Sequence, residues 1–197
     1  VAQPSNQLFR RSRVLVSNDT DQALIERYRS GDRAAFAELV VRYQRPIYNA
    51  AFWVLRKAED ANDVAQEVFL KVAEKLDEYD PRFKFFSWIY RIAVNESLNL
   101  LRRNKREEAL DDDVDLPGSE RNNPEAQFGE AEVSKRIRSA LMSLPTNDRI
   151  VLSLRHFSEC SYQEIGQILD LDETTVKSRL YEARHRLRDV LKDLRPN

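Results

Sequence analysis

SYQEIGQILDLDETTVKSRLYEAR, running from Ser161 to Arg184, is the stretch from which the fold can be read outward. Ser161 with Glu164 three residues on has the form of a capping box and predicts a helix start. Ile165, Ile168 and Leu169 give that helix an apolar face, and Gly166 leaves room for a neighbouring backbone. Asp170-Leu171-Asp172 interrupts the period, and the Asp172 carboxylate is placed to cap a second helix. On a wheel of about 100° per residue, Val176, Leu180, Ala183 and Leu187 gather on one side of that second helix. Thr174, Ser178, Tyr181 and His185 gather opposite, with Lys177 and Glu182 beside them. A buried stripe backing a hydrogen-bonding stripe is the form of a recognition helix in a helix-turn-helix, the plain alternative being an amphipathic hairpin with no DNA role.

Outward from this hairpin, composition points the same way. The chain has 197 residues with only four glycines and seven prolines, and its apolar residues recur at helical spacing, which predicts an all-α protein. No apolar run is long enough to span a bilayer, and a single cysteine excludes an internal disulfide. A net charge of −1 argues against nucleic acid, but the distribution overrides that average. Lys177, Arg179, Arg184, Arg186 and Arg188 against Glu182 leave a local +4. Arg102, Arg103, Lys105 and Arg106 give a second +4, followed at once by Glu107, Glu108, Asp111, Asp112, Asp113 and Asp115, a −6 run. Two basic patches around an acidic run predict two binding surfaces with a different element between them.

The organisation along the chain follows. Residues 1–18 read as a disordered basic extension carrying Arg10, Arg11 and Arg13. Helical periodicity begins at Asp21, and Gly31 is a stop. Asp32 caps a helix with Phe36, Leu39, Val40 and Tyr43 on its apolar face. A third helix spans about Asp60 to Leu76, Tyr79 to Phe86 is a loop marked by Asp80-Pro81, and a fourth helix runs from Ser87 to near Arg103. These make a first domain, 19–103. Residues 104–123 are charged, carry Pro117-Gly118-Ser119 and have little to bury, so they predict a flexible acidic linker. The second domain, 124–195, opens on Asn123-Pro124, has a helix with Val133, Ile137 and Leu141 that ends at Leu144-Pro145, a helix from Thr146 to Phe157, and then the helix-turn-helix.

Three groups in this frame carry candidate chemistry. On the third helix, Ala61, Ala65, Val68, Phe69, Val72 and Leu76 share the core side, while Asp63, Gln66, Glu67 and Glu74 surround Leu70 on the other. Solvated acids are ordinary; a leucine among them has the composition of a docking surface for a basic partner. The loop and fourth helix hold Tyr79, Phe83, Phe85, Phe86, Trp88 and Tyr90, with Arg82, Lys84, Arg91 and Asn95 among them. Rings beside cations form platforms for unpaired bases, and Asn95 has a donor and an acceptor for a base edge. For Tyr79, Phe83 and Phe85 base contact and plain packing stand level. Catalytic and metal sites are not expected: His156 and His185 lie away from the acids, and His156 with Cys160 makes only two ligands.

Taken together, the residues resemble a known family. Asp63-Val64-Ala65-Gln66-Glu67-Val68-Phe69 is similar to the D-x-V-Q-E-x-F signature of bacterial sigma factors. Phe86-Ser87-Trp88-Ile89-Tyr90-Arg91-Ile92-Ala93-Val94-Asn95 resembles their promoter-melting helix. Leu144-Pro145, Tyr162-Gln163-Glu164-Ile165 and Thr175-Val176-Lys177-Ser178-Arg179-Leu180 resemble their C-terminal DNA-binding domain. With two domains and a short linker, the chain resembles the extracytoplasmic-function group.

The resemblance implies roles. Asp63, Gln66, Glu67, Leu70 and Glu74 would dock on the clamp coiled coil of core RNA polymerase, whose flap the second domain would also meet. Tyr79, Arg82, Phe83, Lys84, Phe85, Trp88, Arg91 and Asn95 would melt and read the −10 element, the loop capturing a flipped base. Thr174, Thr175, Lys177, Ser178, Arg179, Tyr181, Glu182, Arg184 and His185 would read the −35 element as duplex. The acidic linker would mimic phosphate in the polymerase channel until displaced by the transcript. The implied protein is non-enzymatic, without cofactor or obligate homo-oligomer, cytoplasmic or held at the inner membrane by an anti-sigma factor. Two departures stand out: Trp88 is followed by Ile89 where housekeeping relatives carry a second tryptophan, and Glu182 sits on the DNA face. The competing reading is a stand-alone helix-turn-helix regulator binding a palindrome as a dimer, although no heptad seam is present.

Overall fold

The computed structural model describes residues 19–108 and 132–193, and every element among them is helical. In chain order these are α1 (Asp21–Arg29), α2 (Arg33–Leu55), α3 (Ala58–Lys75), a 3-10 turn (Leu76–Glu78), α4 (Phe85–Glu108), α5 (Glu132–Ser143), α6 (Thr146–His156), α7 (Tyr162–Leu169) and α8 (Glu173–Asp193). The expected extension 1–18, the acidic run from 109 and the Asn123-Pro124 helix start lie outside the described residues.

The chain divides into two compact units, one ending at Tyr43 and one beginning at Gln44, so the boundary falls within α2. In the first unit, the Thr20 hydroxyl accepts from the Ala23 amide to cap α1, and Gly31 takes a φ of +98° in the turn that follows. Asp32 accepts from the Ala34 amide at 3.0 Å, fulfilling the cap expected of it. Arg27 bonds both Asp19 (2.6 Å) and Asp32 (2.7 Å), which holds the Asp32 carboxyl below its usual range, and Arg42 reaches Asp21 at 2.6 Å. In the second unit α3 packs on α4, α4 on α7, and α5, α6 and α7 each on α8.

α2 continues beyond the apolar face that ends on Tyr43, through Pro46, to Leu55. α4 continues through Asn104 to Glu108, where a linker is expected. The physical reason is that Arg102, Arg103, Lys105 and Arg106 are good helix formers, and cations complement the negative end of the helix dipole. α4 also begins two residues early, at Phe85.

The helix-turn-helix is built as its residues dictate. The Ser161 hydroxyl accepts from the Glu164 amide while Glu164 accepts from the Ser161 amide at 2.7 Å, so the capping box is complete. Ile165 and Ile168 are fully buried. A Cβ on Gly166 would lie 2.6 Å from the Leu171 carbonyl oxygen, so the turn closes only over a glycine. Asp170 takes the left-handed conformation at φ 56°, one that Asn and Asp tolerate best among non-glycine residues. Asp172 then caps α8, accepting from the Thr175 amide at 2.8 Å. Ser161→Ala is expected to lower stability by about 1 kcal/mol through loss of the cap, measurable as a depressed thermal midpoint. An unchanged midpoint would show that packing alone fixes the start of α7.

Candidate nucleic-acid interface

On α3, Ala61, Val64, Ala65, Val68 and Val72 enter the core, with Leu76 buried in the 3-10 turn below. Asp63, Gln66, Glu67 and Glu74 are exposed, and Leu70 stands among them at 61% exposure. A helix of this pattern has no use for Leu70 in its own fold. Lys71 leans off the side of this face, 2.7 Å from Glu96 of α4 and 3.4 Å from Glu67.

The aromatic segment separates into rings that build the core and one that does not. Tyr79 and Phe85 are buried at 6% and 2% exposure, edge to face at 5.5 Å, with half-buried Trp88 5.4 and 5.7 Å away. Both rings spend their faces on packing, which leaves little ring surface open at these two positions. The Tyr79 hydroxyl donates to the Phe83 carbonyl at 2.6 Å, drawing the loop into its turn. That leaves Phe83, 48% exposed, as the loop ring that meets solvent. Arg82 is fixed beside it by Asp80, which accepts from its amide and guanidinium; the guanidinium holds the Asp80 carboxyl below its usual range.

Lys84, just before α4, and Arg91 and Asn95 on it, spaced seven and then four residues apart, are all exposed and make a cationic edge with an amide at its end. Both cations meet acids of the helix-turn-helix. Lys84 Nζ lies 2.8 Å from Glu164 and Arg91 lies 3.6 Å from Asp170.

On α8, Val176, Leu180 and Ala183 are buried, while Thr174, Lys177, Ser178, Arg179, Tyr181, Glu182 and Arg184 are exposed. Tyr181 is 65% exposed and packs on the half-buried His185 at 4.4 Å. The Thr175 hydroxyl donates to Asp172 at 2.6 Å and so supports the cap of α8. Glu182 is not isolated on this exposed face but lies 3.3 Å from Arg186, which also grips the buried Asp148 at 2.5 Å. Lys177 is held by Glu173 at 2.9 Å and lies over the Tyr162 ring. Burial lowers the His156 imidazole below its usual value, assisted by the charges of Arg184 and Arg155. Burial pushes the Cys160 thiol up to about 12, which suits a packing residue and not a ligand or nucleophile. Among the described residues no group of three or more His, Cys, Asp or Glu side chains could hold a metal ion.

Sequence reasoning misses Arg149. It is 2% exposed and donates to the Trp53 and Val54 carbonyls at the end of α2, to the Leu144 carbonyl at 2.7 Å and to the Thr146 hydroxyl. Burial, then the charge of Arg56, lowers its guanidinium to about 10. The signal is present in the sequence as an arginine leading the apolar run Ile150-Val151-Leu152, but a periodic reading assigns it to solvent.

Comparison with known proteins covers both halves. The sigma-70 region 2 family profile matches residues 39–107, and that of sigma-70 region 4 matches residues 134–187. The chain is 34% identical over 181 residues to the ECF RNA polymerase sigma factor SigW of Bacillus subtilis, spanning 86% of this chain and 96% of that one. It is 34% identical over 184 residues to the ECF RNA polymerase sigma-E factor of Escherichia coli, spanning 89% of this chain and 96% of that one. Among solved structures it is similar to the sigma factor RpoE in complex with the anti-sigma factor NepR from Bartonella quintana. There the TM-score is 0.69 at 26% identity, over 81% of this chain and 98% of that one. CnrH in complex with the cytosolic domain of CnrY gives a TM-score of 0.68 at 26% identity, over 90% of this chain and all of that one.

Proposed function

This chain belongs to the sigma-70 family, in its extracytoplasmic-function group, and from that premise we propose how its surfaces divide the work of starting transcription. The chain is a promoter-specificity factor that binds core RNA polymerase and promoter DNA. One observation carries this reading above the dimeric regulator: region 2 and region 4 lie in order on a single chain that spans nearly the whole length of its relatives. A regulator built only on a helix-turn-helix has no use for the first.

Residues 19–103 form the region 2 domain, which docks on the clamp coiled coil through Leu70 and the surrounding Asp63, Gln66, Glu67 and Glu74. Phe83 captures an unstacked base of the −10 strand; Lys84 and Arg91 hold its phosphates, and Asn95 reads a base edge. Trp88, half-buried against Tyr79 and Phe85, stiffens the melting edge. Unstacking a base costs a few kcal/mol, and a ring with an open face offsets that cost. A single tryptophan at this edge makes melting depend more on promoter sequence. Residues 124–195 form the region 4 domain, in which Lys177, Ser178, Arg179, Tyr181, Arg184 and His185 face the −35 duplex, with region 4 also meeting the flap.

The factor performs no catalysis of its own. No helix among the described residues is long and apolar enough to cross a membrane, and the chain works in the cytoplasm, where an anti-sigma factor restrains it. Run-off transcription with core polymerase on a random promoter library is the test. Specific initiation that requires this chain supports the reading; identical transcript patterns with and without it remove it.

Lys177→Ala is expected to weaken binding of −35 duplex by about 1 kcal/mol and to flatten its salt dependence, as loss of one phosphate contact does. Fluorescence anisotropy across a salt series measures both. An unaltered slope would mean that Lys177 serves Glu173 and Tyr162 alone.

A further inference from the structure

Thr174, Ser178, Glu182 and Arg186 follow one another at steps of four along α8, a row that drifts from its outward face toward the flank where α6 presents Asp148. Glu182 stands about 12 Å along the helix from Thr174, the length of roughly three to four base pairs of duplex. Its side chain is 60% exposed, and Oε2 lies 3.3 Å from Arg186. Arg186 is no ordinary surface cation. Its Nη1 lies 2.5 Å from Asp148, whose side chain is only 9% exposed, so releasing Arg186 would leave a buried carboxylate without its cation. Arg186 is therefore a fixed post. Glu182 leans on it through one oxygen, and among the described residues Oε1 accepts no hydrogen bond.

A carboxylate on this face carries a cost. Duplex DNA has one negative charge per about 1.7 Å of axis, so an acid presented to it repels every sequence alike unless some sequences return a bond. A carboxylate accepts and cannot donate. In the major groove guanine offers O6 and N7 and thymine offers O4, all acceptors. Adenine sets its amino group beside the N7 acceptor, whereas cytosine offers its N4 amino group with no acceptor next to it.

We propose that Glu182 is a specificity residue of the −35 interface, its open oxygen accepting from the N4 amino group of a cytosine while Arg186, held by Asp148, fixes the carboxylate and offsets part of its charge. The inference rests on the assignment of the outward face of α8 to the −35 duplex. Arg186 is a positioning residue here: it acts through Glu182 and needs no contact with DNA. Repulsion is blind to sequence and base readout is not, so the two roles of the carboxylate separate cleanly.

The test uses holoenzyme assembled from core polymerase and the full chain, on duplexes with a fixed −10 element and a randomised −35 element. Sequencing the bound fraction gives the preference at each position, and anisotropy on single-pair variants gives affinity. The wild type should select C·G at one −35 position about fivefold or more over the other pairs. Glu182→Ala should lose that preference alone while binding all sequences more tightly by a common factor. Glutamine pairs with adenine through N6 and N7, so Glu182→Gln should move the preference at that position to A·T. Arg186→Lys keeps a cation for Asp148 but lacks the planar fork that spans both carboxylates, and it should blunt the same preference at an unchanged thermal midpoint. If E182A and E182Q tighten every sequence equally and leave all preferences as in the wild type, Glu182 is only a charge and the proposal falls. R186K that selects as the wild type does overturns the positioning role. Holoenzyme that selects no −35 sequence at all overturns the assignment of α8 itself, and the reading of cytosine with it.

Discussion

Leu70→Asp is expected to weaken the complex with core polymerase by about thirtyfold or more, the cost of losing an apolar anchor of some 2 kcal/mol at the centre of a contact. The reason lies in its surroundings. Leu70 is 61% exposed on a helix whose core side is complete without it, and its neighbours Asp63, Gln66, Glu67 and Glu74 form a polar rim. A carboxylate there adds nothing to rim charge that is already plentiful but places a charge where the partner surface must be dry. Helical content and the thermal midpoint should not move. A titration of labelled core polymerase with wild-type and variant chains measures the effect, and equal affinities would take the docking role away from this face.

Phe83→Ala is expected to cost about 1–3 kcal/mol in binding of the −10 strand by the holoenzyme, the range measured for single base–ring stacks. Fold stability should be nearly unchanged, since the ring is 48% exposed. Phe85→Ala provides the contrast. That ring is 2% exposed in a cluster with Tyr79 and Trp88, so its loss should destabilise the fold by about 3–5 kcal/mol. Opening assays with permanganate, paired with thermal melts, separate the two. Wild-type promoter opening by Phe83→Ala would show that no base settles on this ring.

Patterns that repeat along one helix are local, so the core side of α3 and both faces of α8 were legible from spacing. So was the helix-turn-helix, because Ser161, Glu164, Gly166 and Asp172 each act within a few residues of themselves. The aromatic loop was only half legible. Tyr79, Phe83 and Phe85 are alike in composition, and which of them faces water depends on how α4 starts and what Trp88 covers.

The sequence by itself determined an all-helical chain, the two motif-bearing halves and their order, the caps, and the acid-rimmed leucine, because periodicity, capping and charge are properties of neighbouring residues. Only the tertiary structure decided that Thr175 and Glu182 are already engaged, that Tyr79 and Phe85 are core, and that Arg149 reaches across 96 residues to the end of α2. It alone placed α7 on α4. Contacts between residues this far apart depend on how completed helices pack, and no spacing in the chain encodes them.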